Sequence, residues 1–205
     1  MEKGLAIITG ADGGMGQVIT AALAKEGYPV IMACLDPEKA ASLCNRIQQE
    51  TGNTQIEVRR IDLASLSSVN NFTGQLLKEG RPVSRLMNNA GILTTPVRKT
   101  EDGLETIVSV NYVAPYMLTR QLLPLMQPGC RIVNTVSCTY AIGRIEPDFF
   151  EKGRNGRFFR IPVYSNTKLA LLLFTQELAE RLQNQGITIN ASDPGIVSTN
   201  MITMQ

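Results

Sequence analysis

A tyrosine and a lysine lie four positions apart at Tyr164 and Lys168, and together they could transfer a proton. Residues at this spacing share one face of a helix, which would bring the lysine ammonium beside the phenol. A tyrosine acts as a general acid or base only if its pKa falls from about 10 toward neutrality, which needs about 4 kcal/mol of phenolate stabilisation. We expect Lys168 to supply part of that stabilisation. Such a pair arises by chance about once in six chains like this one, so its context must support the prediction.

A second candidate is the glycine-rich turn at residues 9–16, which follows a short apolar run and opens an apolar-periodic helix. A turn of this kind at a helix N-terminus can hold a pyrophosphate on its free amide groups. Gly10 permits the tight turn, Gly14 lets the backbone approach the phosphates, and Gly16 lets the helix lie close to the strand. The turn therefore predicts a nucleotide site.

Strand-like and helix-like segments alternate along the chain, and they would position these candidates. The predicted strands are 4–9, 28–33, 55–60, 84–88, 130–136 and 187–192. The predicted helices are 14–26, 37–50, 65–79, 102–126 and 162–185. This alternation predicts an α/β fold, a three-layer doubly wound parallel sheet with right-handed crossovers. Cofactors in such folds bind beyond the carboxyl ends of the strands.

The composition excludes several classes of chemistry and of partner. The chain has no histidine, which removes histidine acid–base chemistry and most zinc catalysis. Its four cysteines have no metal-like spacing, so no metal site is predicted. A net charge of +2 gives no reason to expect nucleic acid or an anionic membrane as a partner. No stretch approaches the roughly 20 apolar residues of a membrane span, and we expect a soluble, cytoplasmic protein.

Taken together, these segments resemble the short-chain dehydrogenase/reductase family. Residues 9–16 match its T-G-x-x-x-G-x-G pattern, and residues 88–91 read Asn-Asn-Ala-Gly. These motifs, Asn111, Ser137 and the Tyr164/Lys168 pair occur in the family's order with similar spacing. The resemblance implies a Rossmann fold, with residues 1–205 as a single NAD(P)-binding domain. It also implies hydride transfer between a nicotinamide cofactor and a carbonyl or alcohol substrate.

The resemblance assigns a catalytic role to four residues. Tyr164 would pass a proton to or from the substrate oxygen, while Lys168 would lower the pKa of Tyr164 and hold the nicotinamide ribose. Ser137 would bind the substrate oxygen, and Asn111 would anchor a water that links the lysine to solvent. Alternatively, Ser137 is a turn or capping serine, and Asn111 faces solvent, although its neighbours are apolar.

The resemblance also implies a set of cofactor-binding positions. The segment 89–91 would line the adenosine side, Asp62 would contact the adenine, and Thr199 would hold the carboxamide. Each of these residues could instead serve only as a turn residue. The predicted cofactor-binding residues are Gly10, Asp12, Gly14, Met15, Gly16, Asp36, Asp62, Leu63, Asn89, Ala90, Gly91, Tyr164, Lys168, Pro194, Gly195 and Thr199.

The end of the second predicted strand bears on the choice between NAD(H) and NADP(H). NAD binders usually place an acid there, and NADP binders place an arginine. Related reductases carry arginine where this chain has Leu35, and Gly13 replaces the basic residue that often accompanies NADP. Asp36 follows Gly16 by twenty residues, about the expected distance for an acid on the ribose. The acid of most NAD binders aligns with Cys34, two positions before Asp36. The pattern therefore favours NAD only weakly.

An insert near 144–161 separates Ser137 from Tyr164 by 27 positions and carries four of the six phenylalanines. Similar spacing occurs in the branch with retinol dehydrogenases and protochlorophyllide reductases, which implies a bulky apolar substrate. The insert would form a lid or wall of the substrate pocket, or alternatively a surface excursion.

Family members continue beyond residue 205 with another strand and helix, so we expect these to be missing from an incomplete chain.

Two predicted helices, 102–126 and 162–185, are apolar on most sides. Family members commonly dimerise through these helices, so we expect a homodimer or homotetramer, while a deep core is the alternative.

Two other functions stay open. A nucleotide-binding sensor or scaffold without turnover could keep this fold, and an S-adenosylmethionine methyltransferase shares its first half.

Overall fold

The computed structural model describes residues 3–94, 97–150 and 157–195, without the side chains of 157–159. Six strands form one sheet in the order β3-β2-β1-β4-β5-β6, and every neighbouring pair is parallel. The strands are β1 Leu5–Thr9, β2 Val30–Cys34, β3 Ile56–Arg60, β4 Val83–Asn88, β5 Met126–Thr135 and β6 Thr188–Ser192. The predicted doubly wound parallel sheet is confirmed.

The helices cross over between the strands. They are α1 Gly14–Lys25, α2 Pro37–Thr51, α3 Leu66–Glu79, α4 Thr106–Val108, α5 Ala114–Leu122 and α6 Arg157–Leu182. A π-helical turn, Ser109–Val113, joins α4 to α5. Local sequence sets several of the starts: Asp36 caps α2 ahead of a proline, and Ser65 caps α3.

Two layers of side chains, one on each face of the sheet, form the core. In β1, Leu5 and Ile7 pack with residues of α3, α5 and α6, whereas Ala6 and Ile8 pack with residues of α1 and α2. This alternation follows from the two-residue period of a strand. Every residue of β1 and β2 is buried, as expected for central parallel strands. The predicted three-layer architecture is therefore confirmed.

Three predicted boundaries are wrong. The fifth strand begins at Met126 because Met126 pairs with Val83 across an irregular register, which the loop-like Pro-Gly at 128–129 does not suggest. The helix predicted from 102 begins at Thr106, because residues 100–103 form a turn with Gly103 at φ 79°. The helix predicted from 162 begins at Arg157, with Pro162 inside it.

The two helices predicted to be apolar on most sides do contribute heavily to the core, which holds Leu118, Leu122, Leu171 and Leu178. They also expose Tyr116 on α5 and Leu173 on α6, at 41% and 48%. The homodimer or homotetramer stays a prediction that light scattering can test. Within the described residues, no helix has both the length and the hydropathy that a membrane span requires.

Candidate active site

The glycine-rich turn leads from β1 into α1 and leaves room for a ligand at the helix N-terminus. Gly10 has φ 60°, and a side chain there would meet Ala90 at 3.1 Å. A Cβ on Gly16 would lie 2.8 Å from Ala11 Cα, so only glycine lets α1 approach the turn this closely. No side chain caps the helix at Gly13, and its first turn has no acidic residue. The amides of Gly14, Met15 and Gly16 can therefore receive a pyrophosphate.

The predicted N-A-G segment lies beside this turn because β4 is the neighbour of β1. Thr9 Oγ1 accepts hydrogen bonds from the amides of Asn89 and Ala90, each at 3.1 Å. In return, Asn89 Nδ2 donates to the carbonyls of Thr9 at 3.0 Å and Gly10 at 3.2 Å. Asn89 Oδ1 is buried without a hydrogen-bond partner among the described residues, so it is available to a ligand donor. Gly91 follows directly, and together these features fit a dinucleotide.

Tyr164 and Lys168 lie on the same face of α6, as their spacing predicts. Lys168 Nζ is 5.4 Å from the centroid of the Tyr164 ring and donates a hydrogen bond to the Thr135 carbonyl at 2.7 Å. Lys168 is 2% exposed, and burial lowers its pKa from 10.5 to about 8. The amine is thus anchored to the carboxyl end of β5 beside the phenol ring.

The pKa of Tyr164 is not lowered in this structure, and the role of Lys168 in lowering it stays a prediction. Burial raises the pKa of Tyr164 above 10, a hydrogen bond with Ser137 lowers it in part, and the charge of Asp193 raises it further. Lys168 faces the Tyr164 ring, and its amine bonds to Thr135. The effect of burial on the pKa of the phenol therefore exceeds any effect of the lysine charge. The phenol is therefore protonated at neutral pH, and in this structure it lacks the lowered pKa that efficient proton transfer needs.

Ser137 lies where β5 ends, close enough to Tyr164 to influence its pKa. It also caps the short 3₁₀ helix Cys138–Ile142, and its Oγ accepts from the amide of Thr139 at 3.4 Å and from Thr139 Oγ1 at 3.2 Å. The capping alternative and the active-site prediction are therefore compatible, because one hydroxyl serves as an acceptor in the cap and lies beside the phenol.

Asn111 is 1% exposed and lies in the π-helical turn, so the solvent-facing alternative is wrong. Its Oδ1 accepts from the Ile92 amide at 2.8 Å, and its Nδ2 donates to the Ile92 carbonyl at 2.9 Å. The side chain thus fixes the segment that follows residues 89–91. A π turn interrupts the regular helical hydrogen bonds, and such turns often occur at functional sites. The relay water at this residue stays a prediction.

On the adenosine side, each acidic candidate also has a local structural role. Asp36 Oδ1 accepts from the Lys39 amide at 3.2 Å, and its Oδ2 pairs with Lys39 Nζ at 3.0 Å. These contacts lower the pKa of the Asp36 carboxyl. Asp62 Oδ1 accepts from the Ala64 amide at 2.9 Å. Asp12 lies against Cys34, where burial first and then this carboxylate raise the thiol pKa to about 12.

The remaining candidates follow β3 and β6. The carbonyl of Leu63 accepts from Ser109 Oγ at 3.0 Å, and this contact joins the end of β3 to the π turn. Gly195 has φ 70°, and its amide donates to Asp193 Oδ1 at 3.0 Å in a turn that includes Pro194. Thr199 lies outside the described residues. Asp193, whose charge raises the pKa of Tyr164, was not among the predicted residues, although it directly follows a predicted strand.

The described part of the insert packs on the body of the protein. Phe149 is buried, and its ring lies 5.6 Å from that of Tyr112, in a cluster that also includes part of Tyr164. Phe150 is exposed, 5.1 Å from Phe149. The side chains of Phe158 and Phe159 lie outside the described residues. Phe149 therefore fits a wall beside the phenol.

In the part of the chain described, no cluster of candidate metal ligands occurs.

Comparisons with known proteins point to one family. A family model described as short chain dehydrogenase matches residues 4–147 and 151–205. Human retinol dehydrogenase 13 is 36% identical over 197 residues, which cover 95% of this chain and 59% of that protein. Mouse retinol dehydrogenase 14 is 38% identical over an alignment 207 positions long, which covers 95% of this chain and 61% of that protein. The chain thus spans about three fifths of the length of these relatives.

Solved structures share the fold of this chain. An uncharacterized protein from Mycobacterium paratuberculosis superposes with a TM-score of 0.81 at 36% identity, covering 98% of this chain and 72% of that one. A short-chain dehydrogenase from Sphingobium yanoikuyae, solved in complex with NADPH, superposes with a TM-score of 0.76 at 23% identity. The superposition covers 97% of this chain and 73% of that one. At this lower identity the likeness concerns the fold alone.

Proposed function

This chain belongs to the short-chain dehydrogenase family, as its motifs predict, and from that premise we propose that it is a nicotinamide-dependent oxidoreductase acting on a carbonyl or alcohol. The predicted likeness to the retinol dehydrogenase branch is also confirmed. The observation that best supports the activity is the buried Lys168 amine, held beside the Tyr164 ring at the carboxyl edge of the sheet. That edge also carries the turn that fits a pyrophosphate.

The residues of the proposed set have different tasks. A nicotinamide bound at this edge would supply the hydride donor or acceptor. In the reductive direction Tyr164, protonated at neutral pH, gives its proton to the substrate oxygen, and Ser137 donates a hydrogen bond to the same oxygen. Lys168 holds the nicotinamide ribose and stabilises the phenolate that remains. Asn111 fixes the segment after β4 and holds the relay water.

We assign the substrate to the class of long apolar alcohols and aldehydes. The relatives that support this assignment are named retinol dehydrogenases, and Phe149 belongs to the apolar cluster against which both Tyr112 and Tyr164 pack. An apolar wall selects substrates by buried area, at roughly 0.8 kcal/mol for each methylene.

Steady-state turnover tests the function and the substrate class together. We expect the protein to reduce all-trans-retinal with a kcat/KM at least tenfold above that for acetaldehyde, with NADH or NADPH as the reductant. Comparable rates for the two aldehydes would contradict the apolar pocket. Cofactor binding without turnover of either aldehyde would favour the sensor or scaffold.

For the cofactor we propose NAD(H), because Asp36 is a negative charge near the predicted ribose site and Leu35 replaces the arginine of related reductases. Asp36→Asn removes this charge, and asparagine is as good a helix cap as aspartate, so α2 should stay intact. We expect the ratio of the Kd for NADPH to the Kd for NADH to fall about three- to tenfold, since one partly screened charge contributes about 1 kcal/mol.

Cofactor fluorescence gives both constants directly, because the chain has no tryptophan to interfere. Thermal unfolding of the same variant serves as the control, since an intact cap predicts an unchanged Tm. If the ratio does not change, Asp36 serves only as the cap of α2. If wild-type protein prefers NADPH, the NAD proposal fails.

A further inference from the structure

Arg160 and Glu105 form an ion pair in the interior, outside the proposed catalytic set. Both side chains are 0% exposed, and Nη2 of Arg160 donates to Oε1 of Glu105. Arg160 lies in the first turn of α6, four residues before Tyr164, and Lys168 lies four residues after it. The three side chains therefore share one stripe of the helix. The phenol has a buried cation one turn away in each direction.

The pair joins several segments that meet at the active site. Nε of Arg160 donates to the Thr94 carbonyl at 2.9 Å, in the segment that follows β4. Oε2 of Glu105 accepts from the Val108 amide at 3.1 Å and so caps α4, which leads into the π turn. The Glu105 amide donates to the Phe150 carbonyl in the insert at 3.3 Å. One buried pair thus connects α6, the segment after β4, α4 and the insert.

The first turn of α6 needs an anchor because Pro162 lies inside the helix. Proline lacks an amide hydrogen, and its ring crowds the carbonyl four residues earlier, so the turn before it is poorly held by helical hydrogen bonds. The sequence pattern accordingly predicts a helix that begins at 162. In the structure the helix continues back to Arg157, and Arg160 ties this extra turn to the body of the protein.

The charge of Arg160 depends on Glu105 for its compensation. Nη1 of Arg160 is buried and has no hydrogen-bond partner among the described residues. A buried ion that loses its counterion is strongly disfavoured, so removing either side chain would drive the other toward solvent. Such a movement would draw the first turn of α6 with it, and this turn leads directly into Tyr164.

We propose that the Glu105–Arg160 pair positions Tyr164 by holding the first turn of α6 against α4 and the segment after β4. Among the described residues, the side chains of the pair bond to Thr94, Val108 and each other and not to Tyr164. Both are therefore positioning residues, and their effect on turnover rests on the proposed function of Tyr164. The pair would also explain how an insert between Ser137 and Tyr164 is kept in register with the site.

Two substitutions disturb the pair without removing its bulk. Glu105→Gln leaves one acceptor oxygen for two donors, the Val108 amide and the Arg160 guanidinium. Arg160→Lys keeps the charge but loses the planar fork that bonds to Glu105 and Thr94 together. The matched control is Arg181→Gln, also on α6, which breaks an exposed pair with Glu177 whose side chains are 63% and 58% exposed. Exposed pairs of this kind contribute little.

We expect Glu105→Gln and Arg160→Lys to lower kcat for retinal reduction about 10- to 100-fold, as a displacement of about 1 Å does at a reacting group. The Kd for the cofactor should stay within about threefold, because the hydrogen bonds of the pair reach Thr94, Val108 and Phe150 and not the glycine-rich turn. Arg181→Gln should match the wild type in both constants. An unchanged kcat, or equal losses of kcat and cofactor affinity in either pair variant, would overturn the positioning role.

The pH profile separates positioning from a general loss of stability. In Glu105→Gln the Arg160 charge is uncompensated, while Lys168, Cys138, Ser137 and Asp193 still face the phenol from α6, the 3₁₀ helix and the end of β6. We therefore expect the apparent pKa of turnover to fall in this variant and not in Arg181→Gln. An unshifted profile together with a lower Tm would show that the pair is only structural.

Hydrogen exchange tests the same inference without turnover. We expect amides in a peptide covering 157–168 to exchange at least tenfold faster in Glu105→Gln and Arg160→Lys than in the wild type and in Arg181→Gln. Unchanged exchange there would overturn the inference even in an active enzyme. Wild-type protein without turnover would instead overturn the proposed function, and exchange would still decide whether the pair holds this turn.

Discussion

Tyr164→Phe is expected to lower kcat about a thousandfold or more while leaving the cofactor Kd within about threefold of the wild-type value. General acid catalysis by a positioned side chain contributes about 10²–10⁴ in rate, and the substitution removes the proton donor. The ring itself should stay in place, because Tyr164 packs against the apolar cluster that includes Ile107 and Phe149. Phenylalanine preserves those contacts, so the fold and the glycine-rich turn should be unaffected.

Single-turnover reduction and cofactor titration measure the two quantities separately. Tyr116→Phe is the matched control, because it removes the same hydroxyl from an exposed tyrosine on α5, and it should change neither. Loss of cofactor binding in parallel with turnover would assign Tyr164 to cofactor binding rather than proton transfer. A kcat within a few fold of the wild type would move the proton donor to another group.

The fold is readily predicted because most of its elements are set by local patterns. Apolar runs mark β1 and β2, where every residue is buried, and cap residues such as Asp36 and Ser65 mark the starts of α2 and α3. The errors arise where distant contacts prevail over local preference. Met126 joins β5 through its pairing with Val83 on another strand. The first turn of α6 exists despite Pro162, and the buried pair of Arg160 with Glu105 supports it.

The candidate site could also be predicted only in part. The spacing of Tyr164 and Lys168 places both on one helical face, and the glycines indicate the close approach of α1 to β1. The sequence does not reveal that Lys168 bonds to a backbone carbonyl, because the acceptor Thr135 is 33 residues away. Nor does it give the direction of the pKa shift at Tyr164, since burial depends on the packing of many segments.

Lys168→Met is expected to remove nearly all turnover and yet stabilise the cofactor-free protein near pH 7. Burial lowers the pKa of Lys168 from 10.5 to about 8, so keeping this amine charged in the folded state costs about 3 kcal/mol below that pH. Methionine has a similar volume without the charge. The substitution forfeits the hydrogen bond to Thr135, which contributes about 2 kcal/mol because its donor is charged. The balance is a gain of about 1 kcal/mol, or roughly 2–4 °C in Tm.

The pH dependence of this gain has a definite sign. The folded protein releases the Lys168 proton near pH 8 and the unfolded chain near pH 10.5, so between these values the unfolded state binds more protons and wild-type stability rises with pH. The advantage of Lys168→Met is therefore largest below about pH 8 and declines toward pH 10.5. Urea unfolding of both proteins at pH 7 and pH 9.5 measures the difference directly.

Lys78→Met is the matched control, because Lys78 lies exposed near the end of α3 and its substitution should leave turnover and the pH dependence unchanged. A Lys168→Met protein that is less stable than the wild type at both pH values would show that the hydrogen bond to Thr135 outweighs the burial of the charge. A protein that is more stable and also inactive would show that the fold bears a cost for the lysine, which only its role at the active site would explain.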